Sequence, residues 1–278
     1  MTWQSRALCF ACRDCRLIGI LDLPERPRQR GVLIVTGGPQ YRVGSHRHFV
    51  LLARQLAAAG IPVMRFDYRG MGDSEGEQRN FEQLDDDLDA AIAEFFNTLP
   101  AMKELVLWGL CDGATAAAWH APRDPRIAGL VMLNPWVRTE QGHANATLRH
   151  YYAQRLLDRD FWRKLGGGAV RIGATLRSFI ALATAARRPA AEAGGLSLPQ
   201  RLYRALRQFR GHTLIVLSGA DLGAREFSAL PGHQPHWRQL LDEPRVQLVH
   251  VPEANHTFSS RAWRADVATV CTDWIASW

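Results

Sequence analysis

The chain has 278 residues, 47% of them hydrophobic, and a formal charge of +7, enough apolar content for one large domain or a domain carrying an insertion. No apolar run approaches the ~18 residues that span a bilayer, and the opening "MTWQSRALCFACRDC" lacks the apolar stretch of a secretory signal, so the sequence predicts a cytoplasmic protein without a transmembrane segment. Its five cysteines (Cys9, Cys12, Cys15, Cys111, Cys271) are odd in number and follow no disulfide-scaffold rhythm, which argues against a disulfide-built fold and fits a reducing compartment.

In chain order, "ALCFAC" and "RLIGILDLP" predict two strands of a hairpin that turns near Arg13 and Asp14. Three cysteines in "CFACRDC" invite a zinc reading, but zinc takes four ligands, usually as two separated pairs, and no separate second C-x-x-C pair exists. The hairpin is therefore preferred and no metal is expected. "GVLIVTGG" is a short β-branched run ending in glycines. "HFVLLARQLAAAG" follows as a helix with Phe49, Leu52 and Leu56 on one stripe and Gly60 closing it. "PVMRFDYRG" is the next strand, and "FEQLDDDLDAAIAEFFNTLP" a helix with Leu84, Leu88, Ile92 and Phe95 on one face, stopped by Pro100. "ELVLWGL" and "IAGLVMLNPW" are two buried-strand runs separated by a helix from Ala114.

The rhythm breaks between Thr139 and Arg210. "LRHYYAQRLLDRDFWRKL", "VRIGATLRSFIALATAA" and "LPQRLYRALRQF" all read as helices, punctuated by glycine and proline. Strands resume with "HTLIVLSG" and "VQLVHVPE", a helix near "HWRQLLDE" lies between them, and "RAWRADVATVCTDWIASW" is a closing helix. Strands alternating with helices predict an α/β fold: an eight-stranded, mostly parallel sheet covered on both faces. The expected organisation is a core of residues 1–138 and 211–278, with a helical cap, 139–210, inserted after the sixth strand.

The chemistry concentrates in "LWGLCDGATAAAW", Leu107 to Trp119. A nucleophile elbow needs small residues on both sides of the nucleophile because the strand-to-helix turn is very tight, and Gly109 and Gly113 stand at those spacings around Cys111. A helix N-terminus also favours a thiolate. A small buried cysteine in a glycine-rich turn is the alternative. Two further residues favour the nucleophile. Asp221 falls at the end of "TLIVLSGAD" and His256 in the loop after the next strand, "VQLVHVPEANHTF", giving the order nucleophile, acid, histidine. Taken singly, Asp221 reads as a turn cap and His256 as a surface histidine. Glu226 is the alternative acid. For an oxyanion hole, one N–H would come from Asp112 and the other from "TGGPQYRVGSHRHF". Pro39 cannot donate there, which leaves Gly38 or Gln40. His46 and His48 lack partners at ligand spacing and read as rim residues of the pocket.

The sequence resembles the α/β-hydrolase superfamily over essentially its whole length. "RFDYRGMGDSEG" is similar to the D-x-R-G-x-G-x-S motif that follows the fourth strand there, which implies a structural role for Asp67 and Arg69. More narrowly, "GGPQYRVGSHRHF", the G-x-C-x-G elbow and "SGADLGAREF" resemble the first of the two hydrolase types associated with the exosortase A system. These are encoded among exopolysaccharide and PEP-CTERM sorting genes, where acyl-activating and acyl-carrier proteins also occur. Cysteine in place of serine, and "TGGPQ" in place of the usual histidine-glycine loop, depart from the wider superfamily.

The residues together predict a hydrolase acting on an ester or thioester, with Cys111 as nucleophile, His256 as general base and then acid, and Asp221 as its orienter; no cofactor is needed. An acyltransferase using the same three residues, or a non-catalytic scaffold, are the alternatives. Between Arg138 and Arg210 there are 14 Lys and Arg against four Asp and Glu, while the rest of the chain is slightly acidic. No aromatic-plus-basic motif accompanies that charge, which argues against nucleic acid. An anionic acyl donor, such as a coenzyme A thioester or an acidic carrier protein, would be steered to it. "LPQRLYRALRQF" reads as an amphipathic helix, for a membrane surface or, more simply, for packing on the domain.

Overall fold

In the computed structural model, residues 2–38, 40–137 and 196–278 are described. Met1–Trp136 and Leu202–Trp278 form one compact unit. The expected helices between 139 and 195 lie outside the described residues.

The hairpin is β1 (Trp3–Cys12) and β2 (Cys15–Pro24), antiparallel, with Cys12 opposite Cys15 and Arg13 taking a φ of 53° in the turn. β3 (Arg30–Val35), β4 (Val63–Phe66), β5 (Glu104–Leu110), β6 (Ile127–Leu133), β7 (His212–Ser218) and β8 (Val246–Val251) complete an eight-stranded sheet. Its order is β1-β2-β4-β3-β5-β6-β7-β8. β2 meets β4 antiparallel, and every pairing from β4 to β8 is parallel. The strands from β3 to β7 are almost wholly buried, as expected of parallel strands covered on both faces, whereas β8, at the sheet edge, has no fully buried residue.

The helices are α1 (His48–Ala58), α2 (Asp85–Thr98), α3 (Asp112–His120), α4 (Leu198–Gln208), α5 (Leu222–His233), α6 (Pro235–Leu241) and α7 (Arg261–Ala276). Phe49, Leu52 and Leu56 of α1 join Val32, Ile34, Val106, Trp108 and Val131 of the sheet, and Val267, Cys271 and Ile275 of α7, in one core cluster. On α2, Leu88, Ile92 and Phe95 are buried. Along α4, Leu202, Leu206 and the adjoining Phe209 are buried, and Tyr203 meets Trp237 of α6 edge-on. The apolar face of this amphipathic helix is thus spent on packing and does not lie free for a membrane. Among the described residues, no helix is long and apolar enough to cross a membrane.

Parallel strands bring the ends of β3, β5, β6, β7 and β8 to one edge of the sheet. Ligands in such folds bind outside the carboxyl ends of the strands, and those ends carry the residues singled out above.

Candidate active site

Cys111 is the single residue between β5 and α3. Its φ of 61° and ψ of −127° are unusual for a residue with a side chain, and such strain persists only where the surroundings hold it. They do so here. Cys111 N–H donates to Leu133 O at 2.9 Å, and Cys111 O accepts from Ala114 N–H at 3.1 Å and Trp136 N–H at 3.2 Å. The flanking glycines are required by close approach: a Cβ on Gly109 would lie 2.5 Å from Ala114 N, and one on Gly113 2.6 Å from Val35 O.

His256 lies in the loop after β8, with Nδ1 3.0 Å from Asp221 Oδ1. Its ring hydrogen-bonds to Asp221 and to the Cys111 side chain, and these two bonds, outweighing burial, push its pKa up to about 10. The Asp221 carboxyl is pushed up by burial, but the hydrogen bond and charge of His256, with the N–H groups of Ala224 and Gly223, hold it below the usual range. Asp221 is also the N-cap of α5, its Oδ2 accepting Ala224 N–H at 2.8 Å. One oxygen caps the helix and the other meets the histidine, so the turn-cap reading and the acid reading both describe it. Glu226 lies buried within α5.

Of the oxyanion candidates, Asp112 opens α3, and Gly38 holds a φ of 57°. Tyr68 Oη donates to Gly38 O at 3.2 Å. Gln40 uses its Oε1 to accept Ser45 N–H at 3.3 Å. The Asp112 carboxylate turns back over this turn: Gly113 N–H donates to its Oδ1 at 3.0 Å, and a Cβ on Gly37 would sit 2.2 Å from that oxygen. Burial raises the Asp112 carboxyl, opposed by hydrogen bonds from the N–H groups of Gly38, Gly113 and Asp112 itself. An acidic side chain therefore shares the N–H groups an oxyanion would use, which the sequence did not reveal.

The rim reading fails for His48. His46 is exposed, but His48 is 1% exposed, packed against Phe49, Trp108 and Phe258. Neither ring nitrogen has a hydrogen-bond partner among the described residues, and burial pushes its pKa down to about 4. Helical periodicity turns position 48 inward, toward the apolar face it shares with Phe49 and Leu52. Asp67 and Arg69 are buried and pair with Arg42 and Asp87. They brace the loop after β4, a structural use.

Residues 28–166, half of the chain, match the hydrolase family described as serine aminopeptidase, S33. The chain belongs to this family of α/β-hydrolases. The matched segment contains the elbow, where this α/β-hydrolase carries Cys111. A thiohydrolase of Arthrinium phaeospermum is 32% identical over 133 residues, 46% of this chain and 42% of that protein. A polyketide transferase of Penicillium is 30% identical over 113 residues, 39% and 38% of the two chains. These matches span about two fifths of the length of the curated relatives. The fold agrees with an esterase of Pyrococcus furiosus at a TM-score of 0.68 over 99% of this chain and 92% of that one, with 14% identity.

Proposed function

We propose that this protein cleaves or transfers the acyl group of an ester or thioester by way of a thioacyl enzyme at Cys111. The observation that carries this reading is the His256 ring, hydrogen-bonded at once to Asp221 and to the cysteine at the strained elbow. With its proton passed to His256, the Cys111 sulfur attacks the carbonyl carbon, and the oxyanion is met by the Asp112 N–H and by that of Gly38 or Gln40. Collapse expels the alcohol or thiol, which takes its proton from the His256 imidazolium. His256 then removes a proton from water, whose oxygen attacks the thioacyl carbon, and returns that proton to the departing sulfur, releasing the carboxylic acid and the thiol. Asp221 holds the ring in the tautomer and orientation both halves need.

The relatives' names, a thiohydrolase and a polyketide transferase, agree with acyl chemistry, and the second favours an acceptor other than water in place of the hydrolytic step. The excess of Lys and Arg between residues 138 and 210 favours an anionic thioester as donor, through long-range steering. The resemblance to exosortase A-associated hydrolases suits such a carrier-bound acyl group in the cytoplasm.

Intact mass after incubation with a panel of acyl thioesters tests this. An acyl adduct that maps to Cys111 and disappears in Cys111→Ala is expected. Turnover retained in Cys111→Ala, or no adduct and no turnover with any acyl ester or thioester, would overturn it.

A further inference from the structure

β6 ends at Leu133, and the next residue, Asn134, has a φ of 44°. Asparagine is one of the few residues with a side chain that enters this left-handed region readily. Its side chain is buried, 1% exposed, and both ends of its amide are used. Asn134 N–H donates to Val216 O in β7 at 3.0 Å. Oδ1 accepts Ser218 N–H at the end of β7, 2.8 Å away. Nδ2 donates to the backbone carbonyl of His256 at 3.0 Å. The orientation of the amide is unambiguous, since Ser218 N–H requires an oxygen and the His256 carbonyl requires an N–H.

These bonds join the two loops of the candidate site. Ser218 is three residues before Asp221, and the second bond falls on His256 itself. The His256 loop is irregular from Pro252 to Ser260, so no regular strand or helix fixes its place. The ring must nonetheless reach Asp221 and Cys111 together, and a displacement of about 1 Å is enough to lose such an arrangement.

We propose that Asn134 is a positioning residue: its buried amide ties the end of the strand bearing Asp221 to the backbone of His256 and so keeps the ring aligned with Asp221 and Cys111. This rests on the reading of Cys111, His256 and Asp221 as the reacting groups. An isosteric aspartate at this position would keep the bond from Ser218 but set a carboxylate oxygen against the His256 carbonyl, so only the amide serves both.

Two variants of the full chain test it. Asn134→Asp keeps the shape and loses the donor. Asn134→Gly keeps the left-handed backbone without cost and removes the whole side chain. The readouts are a ring-nitrogen NMR titration of His256, acyl-thioester turnover and thermal unfolding. In folded Asn134→Gly the His256 pKa should drop by at least one unit from about 10, and in both variants kcat should fall about 10- to 100-fold while KM stays within about threefold. If Asn134→Asp does not fold, Asn134→Gly decides. A folded Asn134→Gly in which His256 titrates as in the wild type would overturn the proposal, since lost packing alone would lower the unfolding temperature without moving that titration. If the wild type shows no turnover dependent on Cys111, the reading of the reacting groups fails, while the titration still reports whether Asn134 holds the ring.

Discussion

Asp221→Asn is the variant whose effect the geometry fixes best. Asp221 Oδ1 lies 3.0 Å from His256 Nδ1, and it comes ahead of Cys111 among the causes that lift the ring from 6.5 to about 10. Its loss removes the larger part of that imidazolium stabilisation; with the His256 side chain 36% exposed, solvent screening leaves on the order of 1.5 kcal/mol, or roughly tenfold. The amide can also present an N–H to Nδ1 and trap the wrong tautomer, an effect that reaches ~10⁴-fold in serine triads. Asparagine caps a helix about as well as aspartate, so α5 and its stability should survive. Thioester cleavage, followed by ultraviolet absorbance, should therefore lose between ~10- and ~10⁴-fold in kcat/KM. The active form needs His256 protonated, so activity in the wild type should be lost as pH rises through about 10. In the variant that limb should lie at least about one unit lower. Turnover within threefold of wild type with an unmoved limb would refute the assignment, as would a large loss in Glu226→Gln in its place.

Substoichiometric iodoacetamide followed by peptide mapping should label Cys111 first, because burial pushes the thiols of Cys12 and Cys271 up to about 11 and about 12; prior labelling of Cys9 or Cys15 would count against a His256-activated sulfur. The His48 ring, lowered from 6.5 to about 4, stays neutral in the fold, so between those values only the unfolded chain takes up its proton. Urea unfolding should show this site costing about 3 kcal/mol as pH falls from 7 to 4, a pH-dependent loss absent from His48→Leu. Asp112→Asn removes an anion from the N–H groups of the turn and should raise kcat on a neutral ester about 3- to 10-fold near neutral pH, by ~1 kcal/mol of relieved repulsion; a fall would mean that the carboxylate is needed to shape the turn. Added salt should depress kcat/KM for an anionic acyl thioester far more than for a neutral ester of the same acyl group, and equal sensitivity would remove the case for a carrier.

The strands were legible because β3, β5, β6 and β7 are short apolar runs buried on both faces, a pattern that survives without knowledge of neighbours. Gly109 and Gly113 announced the elbow for the same local reason, since a tight turn excludes side chains. His48 was misread because a histidine's burial is decided by Trp108 and Phe258, which arrive from distant strands and loops. The carboxylate of Asp112 was visible as a letter but not as a ligand of its own turn, which depends on a rotamer. Asn134 in "LNPW" gave no signal at all, because its partners are 84 and 122 residues away.

If Cys111 and His256 react as proposed, the strand order also sets when this chain becomes reactive. Cys111 is made early and its elbow can form once β3, β5 and β6 have paired, but β8 adds at the sheet edge beside β7, and His256 follows it. Synthesis at about 5–20 residues per second puts roughly ten seconds or more between the cysteine and its histidine. During that interval the sulfur has neither His256 nor the Asn134–His256 tie beside it. On the chemistry proposed for Cys111 and His256, a nascent or truncated chain ending before β8 should carry a comparatively inert thiol, with reactivity appearing only when the last strand docks.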